Sequence, residues 1–161
     1  IYGFNMLFLV MLIRPLADVF PDFGILRTLV SMRREFGIFS GMLILSHFFG
    51  FFMQSDLSIF TSLTESWIWN YKDPYLWGLI GVTFSIPLLL SSNNFSMRLL
   101  KTSWKIVQRL SYVFFIFGAI HVYLVGRKND ALIYGILVAV FWILSLLKIK
   151  LKLYSDYEKK L

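Results

Sequence analysis

Five long apolar runs, separated by short polar stretches, dominate the hydrophobic pattern of this chain. They cover residues 1–13, 37–53, 76–90, 112–125 and 131–147. A helix of 17 residues is about 26 Å long, close to the roughly 30 Å hydrocarbon core of a bilayer. Helices are expected because an open strand edge is not tolerated in lipid. The pattern predicts an all-α, polytopic membrane helix bundle with five visible spans.

The first run is short for a membrane span. Its 13 residues form a helix of only about 20 Å, and the sequence opens with Ile1 inside that apolar run. We therefore expect residues 1–161 to be one transmembrane domain whose N-terminus is incomplete.

Composition agrees with a location in the lipid bilayer, and the placement of charge gives an orientation. The chain is 58% hydrophobic and 16% charged, with a mean hydropathy of +0.70 and a net charge of +7. If the spans alternate across the membrane, 13 of the 16 Lys and Arg residues fall on one side. The positive-inside rule then places the C-terminus in the cytoplasm. The basic residues flank the spans, so we expect no nucleic-acid partner. With no cysteine, thiolate-bound metal centres are excluded.

The two histidines of the chain, His47 and His121, both lie inside predicted spans. An ionisable residue within a membrane is a functional hypothesis by default, because its burial is costly. The second and fourth spans run in the same direction. His47 lies 13 residues after Arg34 and His121 lies 12 after Arg109, so both sit at similar depth in the outer half. Two imidazoles facing each other from parallel helices are what a six-coordinate haem iron needs, with the haem between the helices.

A glycine accompanies each histidine on its own helical face. Gly50 follows His47 by three residues, and Gly118 precedes His121 by three, so a flat macrocycle could approach there. Glycine is also common in membrane helices, where it allows close packing. Two other readings of the histidine pair stay open at this point, a hydrogen-bonded packing pair and a proton relay in a transporter.

Four short motifs occur in order around these positions. They are Arg14-Pro15-Leu16, Arg33-Arg34-Glu35-Phe36-Gly37 before His47, Asp73-Pro74-Tyr75 before Gly78, and Gln108-Arg109-Leu110-Ser111-Tyr112 before His121. From about residue 14 to 125 the chain resembles the ferric-reductase-like transmembrane domain family. Within that family it is most similar to the haem-binding membrane subunits of bacterial periplasmic methionine sulfoxide reductase systems.

The resemblance implies that His47 and His121 are the axial ligands of a b-type haem near the outer face. In the family, the position 13 residues before the second of these histidines is often another histidine, which could serve an inner haem. Here that position is Gln108, and its counterpart on the second span falls near Arg33 and Arg34. We therefore expect one haem. The arginines could meet haem propionates, a flavin phosphate or, most simply, lipid headgroups.

The family usually has six spans, so the resemblance implies one further helix in the full chain and a location in a bacterial inner membrane. It also implies a membrane cytochrome that passes electrons to an outer acceptor, which would be a periplasmic oxidoreductase that repairs oxidised methionine. Only 14 residues follow residue 147 and they contain no Gly-rich phosphate-binding loop, so we expect the flavin or nicotinamide domain to belong to a separate protein. The donor would then be a separate flavin reductase or a quinol, and a bound flavin (FMN) or quinone stays open as a cofactor. A non-catalytic anchoring subunit of a larger respiratory assembly is the alternative.

Overall fold

The computed structural model describes residues 2–54 and 63–151 of the chain. All regular secondary structure in these ranges is helical. Five helical segments there are long and apolar enough to cross a membrane. The predicted all-helical membrane bundle is thereby confirmed, and the chain is a multi-pass membrane protein. Residue 1, residues 55–62 and the C-terminal Lys152, Lys159 and Lys160 of the charge argument lie outside the described ranges.

The helices agree closely with the predicted apolar runs, each of which falls inside a span to within one residue. Arg109 separates two helices that together make the fourth span, Ser103–Leu124. In chain order the helices are α1 (Tyr2–Val19), α2 (Gly24–Ser31), α3 (Arg33–Gln54), α4 (Pro74–Ser91), α5 (Asn94–Leu100), α6 (Ser103–Gln108), α7 (Leu110–Leu124) and α8 (Lys128–Leu146).

The first helix is longer than its apolar run, since α1 continues through Pro15 to Val19. A proline inside a helix has no N–H to donate, and such positions are tolerated in membranes where neighbouring groups make compensating contacts. Arg33, at the start of α3, donates from Nε to the carbonyl oxygen of Val10 over 3.0 Å, in the turn before the proline. This bond joins the middle of the first span to the beginning of the next.

Helix α1 is also the central helix of the bundle. It packs against α3, α7 and α8, while α4 packs along α7. The buried side chains of α1 join the core through contacts such as the stacked rings of Phe4 and Phe115, whose centroids are 5.6 Å apart. The N-terminal part of α1 thereby becomes one wall of a cavity shared with α3, α4 and α7.

The beginning of α4 is fixed by two residues. The Asp73 side chain accepts a hydrogen bond from the Tyr75 amide at 3.0 Å, as an N-cap does, and Pro74 occupies the first helical position. The carbonyl of Pro74 therefore has a defined place, one helical turn before Gly78. Both groups contact a histidine of the site described next.

Candidate functional site

His47 on α3 and His121 on α7 face each other across the bundle. Their ring centroids are 6.5 Å apart, and the ring planes are inclined at 64°. A bond between a metal and an imidazole nitrogen is about 2 Å long, so two imidazoles that share one metal have centroids about 6 Å apart. The observed spacing therefore fits two axial ligands of one metal.

The rings border a cavity of about 700 Å³, within the size range of small-molecule and cofactor sites. Its walls are largely apolar and aromatic, which suits a flat hydrophobic group. The lining includes Phe4 from α1, Phe48 and Phe51 from α3, Val82 from α4 and Phe114 from α7.

Glycines from three helices line this cavity. Gly3, Gly78, Gly81 and Gly118 all line it. A Cβ at Gly118 would lie 3.4 Å from the Phe4 ring, so the glycine lets α1 and α7 approach each other closely beside the cavity. Gly50, the glycine expected beside His47, is absent from the described lining residues, and a Cβ placed on it would meet no atom within 4 Å. The structure thus brings Gly118 to the site but not Gly50.

Polar contacts to the two histidines differ. The Nδ1 atom of His121 lies 2.8 Å from the carbonyl oxygen of Pro74, and the ring rests against Gly78. For His47, the described part of the chain offers a ring contact with His121 and no hydrogen bond. The described residues contain no group of three or more His, Asp or Glu side chains suited to a metal ion. The His47–His121 pair is the candidate metal site among these residues.

Arg33, Arg34 and Gln108 lie apart from the histidines, around a second cavity of about 440 Å³. Helix α6 ends at Gln108, 13 residues before His121, a distance of about 20 Å along a helix. All three side chains have partners. Gln108 donates to Ser91 Oγ over 3.1 Å, Arg33 bonds the Val10 carbonyl, and Arg34 donates to Asn94 Oδ1 over 2.7 Å. The structure therefore divides the predicted site residues into two groups.

The second cavity is strongly basic. Its described lining residues include no carboxylate. They include five cationic side chains, those of Arg14, Arg33, Arg34, Lys105 and Arg109. Two of the five have acidic neighbours outside the lining, since Arg14 pairs with Asp18 and Arg34 with Glu35. This end of the bundle therefore attracts anions.

Sequence reasoning gave no site role to Arg127, which lies at the other end. It is the only Lys, Arg, Asp or Glu among the described lining residues of the histidine cavity, and it pairs with Asp130 at 3.3 Å. The sequence could have indicated this position, because Arg127 follows His121 by six residues and so lies just beyond the end of the helix that carries the His121 ring. The sequence could not indicate that α1 forms one wall of the cavity, because that contact depends on how the helices pack.

Comparisons with known proteins identify the family of this chain. The family model described as "Ferric reductase like transmembrane component" matches residues 1–119. A relative from Agrobacterium fabrum, named protein-methionine-sulfoxide reductase heme-binding subunit MsrQ, is 30% identical over 82% of this chain and 58% of its own length. Proteins of the same name from Brucella ovis and Brucella canis are each 28% identical over 86% of this chain and 61% of their own length.

The chain thus spans about 60% of the length of the curated relatives it matches. No solved structure matches it. The family model covers well over half of the chain, including the helix that carries His47, and it ends two residues before His121. The chain belongs to the ferric reductase-like transmembrane family.

Proposed function

We propose that this protein is a membrane b-type cytochrome, with residues 1–161 forming one ferric-reductase-like domain. It passes electrons through one haem, ligated by His47 and His121, to an acceptor at the outer face. The observation that carries the proposal is the histidine pair, 6.5 Å apart between ring centroids on two spans, at the edge of an apolar cavity.

A b-type haem bound here supplies one-electron transfer, with a potential set by its ligands and surroundings. The chain contributes the two imidazoles and a wall of aromatic and aliphatic side chains that keeps water away from the metal. Arg127 supplies a positive charge at the rim of the cavity, which complements the two carboxylates of a haem.

One haem is the number that the residues support. The chain has two histidines, so it can form one bis-histidine site. At the other end, Gln108 is hydrogen-bonded to Ser91 and Arg33 to the Val10 carbonyl. Neither is a usual haem ligand, and both side chains already have partners. The proposed cytochrome therefore works without an inner haem.

Electrons enter, in this proposal, from the cytoplasmic side. The basic cavity lies at that end, and its five cations suit an anionic donor group such as a flavin phosphate. We propose a separate flavin reductase or a quinol as the donor, with bound flavin or quinone as the two options for a further cofactor. The relatives' names, which refer to a protein-methionine-sulfoxide reductase, support a periplasmic oxidoreductase as the acceptor.

A reduced-minus-oxidised visible spectrum of the purified protein, with a pyridine haemochrome count, tests the proposal. We expect one b haem per chain, and loss of the bis-histidine spectrum in both His47→Ala and His121→Ala. Phe49→Ala is the matched control, because Phe49 is exposed on the same helix as His47 and does not line the cavity.

Adding free imidazole distinguishes a variant that has lost only its haem ligand from one that has failed to fold. Imidazole should restore a low-spin spectrum to His121→Gly if that protein is folded. Two haems per chain would contradict the single-haem assignment. A folded but colourless wild-type protein would overturn the cytochrome proposal and favour an anchoring subunit.

A further inference from the structure

The environment of His121 fixes which of its nitrogens carries the proton. Nδ1 lies 2.8 Å from the carbonyl oxygen of Pro74. A carbonyl oxygen can only accept a hydrogen bond, so Nδ1 must be the N–H donor. In a neutral imidazole the other nitrogen, Nε2, then holds the free lone pair. Nε2 is the nitrogen left for a ligand bond.

Gly78 makes this ring position accessible. A Cβ at residue 78 would lie 2.8 Å from His121 Nδ1 and 3.1 Å from Cε1. Both distances are shorter than ordinary van der Waals contacts. Gly81, on the same helix and in the same cavity, would place a Cβ no nearer than 3.7 Å to any neighbour. The close approach is therefore specific to Gly78.

The two contacts come from one turn of α4. Pro74 begins the helix behind the Asp73 cap, and Gly78 follows four residues later. A carbonyl has two lone pairs, so the Pro74 oxygen can accept from the ring while keeping its place in the helix. Along this edge, the described contacts of the ring are with the backbone of α4 at Pro74 and Gly78.

We propose that the Pro74 carbonyl and Gly78 position His121 as the fixed axial ligand of the haem, with Nε2 set for the metal before the haem arrives. This inference rests on the proposed function. Gly78 acts through His121, so it is a positioning residue. Hydrogen bonding at the second nitrogen of a metal-bound imidazole orients the ring and makes it a stronger donor.

The ligand pair is consequently unequal. His121 has a backbone acceptor, whereas His47 has no hydrogen bond to the described residues. His47 is the more easily displaced ligand of the two. An external ligand such as carbon monoxide should replace it first.

Gly78→Ala tests the inference. The added methyl group would push the ring away from Pro74, so we expect about 10- to 100-fold weaker haem retention, as is typical when outer contacts of a ligand are lost. The haem that remains should show a high-spin component in electron paramagnetic resonance and visible spectra. Gly135→Ala is the control, because that glycine lies on α8, lines neither cavity and has open space for a Cβ.

A second measurement does not depend on haem. In haem-free protein labelled with ¹⁵N-histidine, NMR should show His121 protonated at Nδ1 in the wild type and a mixture of tautomers in Gly78→Ala. A Gly78→Ala protein with wild-type haem retention and spectra would overturn the positioning role. An Nε2-protonated His121 in the wild type would overturn it too.

These outcomes are distinct from failure of the proposed function. If the wild type binds no haem, the cytochrome proposal and the ligand role both fail, while the NMR result still reports the Pro74 contact. If His121→Ala loses haem and Gly78→Ala does not, the cytochrome stands and the positioning role fails.

Discussion

Arg127 places one positive charge at an otherwise apolar cavity. Its guanidinium is half-exposed and paired with Asp130, so part of its charge is already neutralised. Haem carboxylates are anions, and reduction of the iron adds one more negative charge to the group. A nearby cation therefore favours the reduced state.

We expect Arg127→Gln to lower the haem midpoint potential by some tens of millivolts, since about 59 mV for one electron corresponds to a tenfold change in the equilibrium constant. Redox titration of the α band gives the value. Lys128→Gln removes the same charge one residue later, from a side chain that lies over the Tyr123 ring and does not line the cavity. An equal shift in both variants would mean that Arg127 has no special role.

At the residue scale, the sequence alone pointed to the two histidines. An ionisable side chain inside an apolar run is visible in the sequence, and counting residues from the flanking arginines gives its depth in the membrane. The sequence also pointed to Gly118, which lines the cavity. The sequence did not predict that Gly78 contacts His121, although Gly78 follows the Asp73-Pro74-Tyr75 motif. The demand for glycine there arises from the packing of α4 on α7, which brings the His121 ring within 2.8 Å of a Cβ at that position.

Two hydrogen bonds, about two helical turns apart, join α1 to the first part of α3. Buried Ser40 donates to the Gly3 carbonyl over 2.9 Å. Arg33 donates to the Val10 carbonyl. A hydrogen bond from a charged group contributes about 1.5–3 kcal/mol when it is kept from water. The bonds align α1 so that its first residues can form a wall of the histidine cavity.

Arg33→Met should lower the free energy of unfolding by about 1–3 kcal/mol, because the charged donor is lost while the side-chain volume is kept. Unfolding in a detergent series, followed by circular dichroism, measures the change. Arg34→Met is the control, since Arg34 is exposed and pairs with Asn94 and Glu35. We expect it to cost below about 1 kcal/mol. A loss of haem in Arg33→Met without loss of stability would point to a cofactor contact instead.

The span boundaries show how far a hydropathy pattern reaches at the scale of elements. It located all five spans, because apolar length is a property of each run alone. It ended the first span at residue 13, whereas α1 continues through Pro15 to Val19. A proline is ordinarily a helix stop. Here the helix continues through the proline, which hydropathy and helix-stop residues alone do not predict.

At the scale of the whole molecule, the basic residues concentrate at one end of the bundle. Five of them surround the second cavity, whereas the histidine cavity has Arg127 alone. This asymmetry supports a cytoplasmic location for the basic end and for the C-terminus, and an outer location for the histidine pair.

Reporter fusions test that orientation. A fluorescent protein fused after residue 161 should fluoresce, and alkaline phosphatase at the same point should be inactive. Alkaline phosphatase fused after Lys128 should be active, because that position follows the span that carries His121. The opposite pattern would invert the proposed topology.

In the proposed orientation, the position of the histidine pair near the outer end has an energetic consequence for a living cell. An electron delivered from the cytoplasm to that level travels through a large part of the membrane's electric field. Because a respiring membrane is positive outside, this outward movement of negative charge is downhill by up to about 2.3 kcal/mol per 100 mV. In the proposed one-haem arrangement the field would act on one long transfer, so the membrane voltage would favour reduction of the proposed outer acceptor.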